Sequence, residues 1–166
     1  MQKKVRQYIA LFFAVAAYYV LHEGAHLLCA VGMGVFETVR FMGVGVQVQI
    51  AAQQLTPLQL GVFCLVGPAA ALLGAWLLAA FANRICSCRS KLFRACMYYT
   101  TAALLFIDPL YLSLLSGFFG GGDLNGISLL IPAAAAKVLF GILLVLHAVL
   151  FAGYILPRYK ASFSEG

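Results

Sequence analysis

Charge is scarce in this chain. Among its 166 residues only 10% are Asp, Glu, Lys or Arg, and the acidic ones number five. A soluble domain carries about 25% charged residues, so the composition excludes an ordinary water-soluble fold. Paired cysteine spacing is missing too. Cys29 and Cys64 lie in apolar segments and read as small packing residues, while Cys86-Ser87-Cys88 has no partner pair at zinc-site spacing. The net charge of +6 is no sign of nucleic acid, because the basic residues fall in short clusters between apolar segments.

Apolar sequence fills the space that charge leaves. Hydrophobic residues make up 64% of the chain and the mean hydropathy is +0.98. The expected fold is an all-α polytopic membrane protein: one integral-membrane domain over residues 1–166, embedded in the lipid bilayer, with no separate soluble domain. Four segments reach the roughly 20 residues needed per crossing, at about 8–31, 58–81, 95–119 and 132–156. The basic N-terminal run Lys3, Lys4 and Arg6 resembles a signal peptide, but the apolar run behind it reaches full spanning length and reads as a retained helix. Gly61, Gly67, Ala69, Ala70, Ala71 and Gly74 place the second segment at the centre, since small residues let helices approach closely in lipid. Pro132 reads as a helix-starting residue of the fourth.

The segment between the first two helices is not a plain polar loop. Val44, Val46, Val48 and Ile50 alternate with Gly45, Gln47 and Gln49, the two-residue period of a strand. A short membrane-associated β-hairpin or strand is expected there. It serves either to hold an extended substrate by strand addition or simply to cap the bundle.

Chemistry concentrates in the first apolar segment as His22-Glu23-Gly24-Ala25-His26. Positions i and i+4 share a helix face, so His22 and His26 can hold one zinc ion with Glu23 beside them as catalytic base. Two histidines and a glutamate are costly to place in hydrocarbon and need a functional reason to be there. Later in the chain come two candidate third ligands. Asp108 stands in Asp108-Pro109, and Asp123 stands in the glycine-flanked run Gly122-Asp123-Leu124-Asn125-Gly126. His147, alone in the fourth helix, reads as a packed or interhelical hydrogen-bonding residue.

The helical His22–His26 motif, the following Val31-Gly32-Met33-Gly34-Val35 and the late aspartate in a glycine-containing turn resemble the site-2 protease family of intramembrane zinc metalloproteases. The likeness covers the first three helices and the strand-like segment. It implies one Zn2+ per chain held by His22, His26 and Asp123, with Glu23 as general base. The substrate it implies is a membrane protein or peptide precursor, and the location is a bacterial cell membrane. The chain departs from the family in the order Asp123-Leu124-Asn125-Gly126, where Asp-Gly is usual, and it lacks a PDZ module. Asp108 therefore stays a rival third ligand, and Asn125 is a candidate for oxyanion or substrate contact. A metal-binding or metal-transporting membrane protein, using Asp108 and His147 along a path, is the alternative; a non-catalytic subunit with a vestigial site is another.

Orientation divides the signals. Lys3, Lys4, Arg6, Arg84, Arg89, Lys91, Arg94, Arg158 and Lys160 would share one side, against Arg40 and Lys137 on the other. Positive flanks favour the cytoplasm, which puts both termini inside and the zinc nearer the outer face. The family resemblance implies access from the cytoplasmic side.

Overall fold

The computed structural model describes residues 2–42, 45–118 and 122–164. Helix α1 spans Lys3–Gly32, followed by strands β1 (Phe36–Met42) and β2 (Gly45–Ile50). After them come α2 (Pro57–Ala80), α3 (Ala82–Cys86), α4 (Lys91–Leu110), α5 (Gly122–Ile127), α6 (Ala133–Leu150) and α7 (Leu156–Ser164). A π turn at Tyr111–Leu115 extends α4, and another at Phe151–Ile155 joins α6 to α7. Among the described residues four helical stretches are long and apolar enough to cross a membrane: Lys3–Gly32, Pro57–Ala80, Lys91–Leu115 and Ala133–Ser164.

Local signals set the helix starts. Thr56 accepts a bond from the Gln59 amide, the Gln59 side chain reaches back to Thr56, and Pro57 opens the first turn of α2. Ser90 caps α4 by accepting from the Phe93 amide at 3.2 Å. The cap moves the start of α4 to Lys91, four residues before the expected Ala95, because Lys91 and Arg94 are tolerated in a capped first turn. That helix ends at Leu115 rather than 119; Phe119 lies outside the described residues. Likewise α1 begins at Lys3, and the last helix runs on to Ser164 rather than stopping at 156. Each π turn lies two residues from a proline, Pro109 or Pro157, whose missing N–H removes one ladder bond without ending the helix.

Packing follows residue size. The buried residues of α1 are Ala10, Ala14, Tyr18, His22, His26 and Ala30, one position in every four and hence a single stripe. Its alanines let α1 close onto α2 and α4, and the same stripe carries both histidines inward. On α2, Gly67, Ala71, Ala75 and Ala79 are likewise buried, which fits the central position expected of it. Large apolar side chains instead face outward, with Phe12 78% and Leu28 76% exposed.

The expected strand pairs with a partner. β1 and β2 form an antiparallel hairpin with Val39 opposite Val48, Phe41 opposite Val46, and a bulge between Phe36 and Thr38. Gly43 and Val44 lie outside the described residues. Gly34, at φ 71°, turns the chain from α1 into β1, a left-handed conformation suited to glycine. Val48 is buried in a cluster with Ala30, Val35 and Phe63, which seats the hairpin on the bundle.

Candidate metal centre

Two helices bring three donors to one point. His22 and His26 lie one turn apart on α1, and Asp123 sits in the first turn of α5, which packs on α2. His22 Nε2 and His26 Nε2 are 3.3 Å apart. Asp123 Oδ2 is 3.2 Å from His22 Nε2, and Asp123 Oδ1 is 3.4 Å from His26 Nε2. One ligand atom from each residue lies within 4.8 Å of the others. A tetrahedral ion with bonds of about 2.0–2.1 Å has ligand–ligand edges of roughly 3.3 Å, and these separations fit it. Two imidazole nitrogens facing one another and a carboxylate also need a shared cation or protons between them. Burial opposes charge on Asp123, yet its bonds to the two imidazoles prevail and hold the carboxyl below its usual range, so it stays ionised. The cluster can hold a metal ion, and its N, N, O donor set suits zinc.

Gly67 makes room for the centre. A Cβ at this position would collide with His26 Nε2 and lie 2.9 Å from His22 Nε2. The α5 approach is equally tight: a Cβ on Gly126 would strike Cys64 Sγ, and one on Gly61 would meet Leu130. These glycines are what allow α5 to lay Asp123 against the histidines.

Asp108 takes a different place from Asp123. It is 2% exposed, and its Oδ1 and Oδ2 are 3.2 and 3.3 Å from His22 Nδ1, the nitrogen opposite the one facing Asp123. Tyr18 donates its hydroxyl to Asp108 Oδ1 at 2.6 Å. With an ion in the centre, His22 would turn the Nε2 lone pair to it while Nδ1–H donates to the Asp108 carboxylate. Asp108 thus lies behind His22 and outside the group of donors that could hold an ion. Sequence reasoning missed Tyr18, although its position one turn before His22 on the same stripe is a readable signal. Among the described residues His26 has no equivalent support; its Nδ1 is buried without a hydrogen-bond partner.

Glu23 borders the same cavity of about 720 Å³ as the ligands, and β2 forms part of its wall. The Val48 amide donates to Glu23 Oε2 at 3.2 Å. That amide therefore points away from β1, so the unpaired edge of β2 faces the site. Asn125 is exposed on α5. Two residues beyond Asp123 on a helix, it projects from the opposite face, so the structure does not bring it to the cavity. His147 is also elsewhere: it accepts from Trp76 Nε1 at 3.1 Å and donates through Nδ1 to the Leu105 carbonyl at 2.8 Å.

No family model, curated protein or solved structure matches the chain.

Proposed function

We propose that the chain is a multi-pass membrane zinc metalloprotease of the site-2 type, cleaving a peptide bond in a membrane protein or membrane-associated peptide. The observation that carries this reading is the convergence of His22, His26 and Asp123 beside Glu23 in a cavity walled by an unpaired strand edge. The outward-facing apolar side chains of the long helices support placement in a bilayer.

When bound, zinc supplies a Lewis acid and makes water acidic enough to act near neutral pH. Glu23 takes the proton of the attacking water and passes it to the leaving amine nitrogen. The Val48 amide holds one carboxylate oxygen and so fixes the orientation of that base. The Asp108 carboxylate, itself held by Tyr18, keeps His22 in the tautomer that presents Nε2. On the outer edge of β2, the Val46 amide and the Val46 and Val48 carbonyls can pair with a substrate strand, which fixes an unwound segment beside Glu23. A spanning helix hides its peptide bonds, so this unwinding is what the cavity must support.

A metal conduit through Asp108 and His147 has less to recommend it. Both nitrogens of His147 are engaged by Trp76 and Leu105, and Asp108 is committed to Tyr18 and His22. The test is zinc-loaded, detergent-purified protein incubated with a mixture of peptides taken from membrane spans, with new termini read by mass spectrometry. Cleavage by the native chain and none by Glu23→Gln at equal zinc content is the expected result. Folded protein that stays metal-free in excess zinc overturns it.

A further inference from the structure

A second site stands at the other end of the bundle. Arg94, in the first turn of α4, lies 14 residues before Asp108, about 21 Å along the helix axis. It is 7% exposed. One terminal nitrogen donates to the Cys86 carbonyl at 3.3 Å, while Nε is buried with no hydrogen-bond partner. The Phe163 ring lies 5.4 Å from the guanidinium carbon. Among the described residues no carboxylate pairs with it; Glu165 follows Ser164 outside them. Among the described residues Arg94 is therefore a buried cation without a counter-ion, which is costly.

The surroundings supply the rest of an anion site. Arg94 borders a cavity of about 370 Å³ whose walls include Ser87, Arg89, Lys91 and Ser162. Three cations meet there, at the end of α4 where backbone N–H groups point outward, while the Ser87 and Ser162 hydroxyls donate to the Arg84 and Tyr159 carbonyls. Burial pushes the Cys86 thiol up, and Cys88 Sγ donates to the Arg84 carbonyl at 3.5 Å. Two arginine forks with a lysine beside them suit a tetrahedral oxyanion.

We propose that the cavity between the α3–α4 turn and α7 binds a phosphate group, borne by an anionic phospholipid headgroup or by soluble phosphate. The site is independent of the metal centre.

The test uses full-length, delipidated protein in neutral detergent, followed by thermal unfolding. One arm titrates phosphatidylglycerol against phosphatidylcholine in mixed micelles; the other titrates inorganic phosphate against chloride at equal ionic strength. A saturable rise in the unfolding midpoint is expected. Arg89→Gln/Lys91→Gln should raise the half-saturating concentration about 30-fold, at about one kcal/mol per removed cation. Arg94→Gln should abolish the response, and the double variant carries the test if that protein does not fold. A response to phosphatidylglycerol alone assigns a lipid headgroup, and a response to inorganic phosphate as well assigns the free oxyanion. Equal effects of both lipids with no phosphate effect beyond chloride overturn the proposal, as does an unchanged response in the double variant.

Discussion

Asp108 meets His22 at Nδ1, on the side of the ring opposite the nitrogen that faces Asp123. Two aspartates therefore share one histidine in different roles, one beside the prospective ion and one behind it. Asp108→Asn keeps the shape but offers a weaker acceptor, and it is expected to lower zinc affinity about 10–100-fold. Asp123→Ala removes a ligand and should leave substoichiometric zinc. Chelator competition on the purified variants separates the two. Loss of zinc in Asp108→Asn as complete as in Asp123→Ala would make Asp108 a ligand after all.

Gly67→Ala tests the space around the centre. The added methyl collides with His26 Nε2, and the neighbour is a ligand head rather than a flexible tail. Zinc binding should fall to background while the helical circular dichroism stays that of the native chain. Full zinc occupancy in a folded Gly67→Ala protein would mean that the histidines meet the ion elsewhere.

Glu23→Gln is close to isosteric and removes only the basic oxygen. Zinc content should be unchanged within error. Peptide cleavage should fall by about 100-fold or more, the scale of a lost general base. Retained cleavage assigns the proton transfer to another group.

The juxtaposition of His22 and His26 was legible in the sequence because both lie within one turn of one helix, where spacing alone fixes geometry. Asp123 was legible only as one of two candidates. What decides between it and Asp108 is which ring nitrogen of His22 each reaches, and that depends on how α4 and α5 pack rather than on any local pattern. β2 was readable from its alternation, whereas β1, Phe36-Glu37-Thr38-Val39-Arg40-Phe41-Met42, breaks the two-residue period with the bulge near Glu37. The start of α4 was misplaced because hydropathy outweighed Ser90, a capping residue whose bond to Phe93 fixes the boundary. Tyr18 was passed over since a tyrosine in an apolar helix carries no chemistry until its partner, 90 residues away, is known.

His147 shows how a proline in one helix creates a need that another helix fills. Pro109 has no N–H, so the Leu105 carbonyl four residues earlier loses its ladder partner. His147 supplies one through Nδ1 at 2.8 Å, and Trp76 completes the ring from α2. His147→Leu leaves that carbonyl buried and unpaired, which should cost about 1–3 kcal/mol in unfolding by denaturing detergent. Pro109→Ala restores an N–H at the position that the ladder requires. In the His147→Leu background it should therefore recover part of the loss, with a coupling of about 0.5–3 kcal/mol between the two sites. Zinc content should be unaffected by His147→Leu, because His147 is no part of the centre. Simple additivity of the two substitutions would show that the Leu105 carbonyl is satisfied without His147, and that the histidine is held for its packing against Trp76 alone.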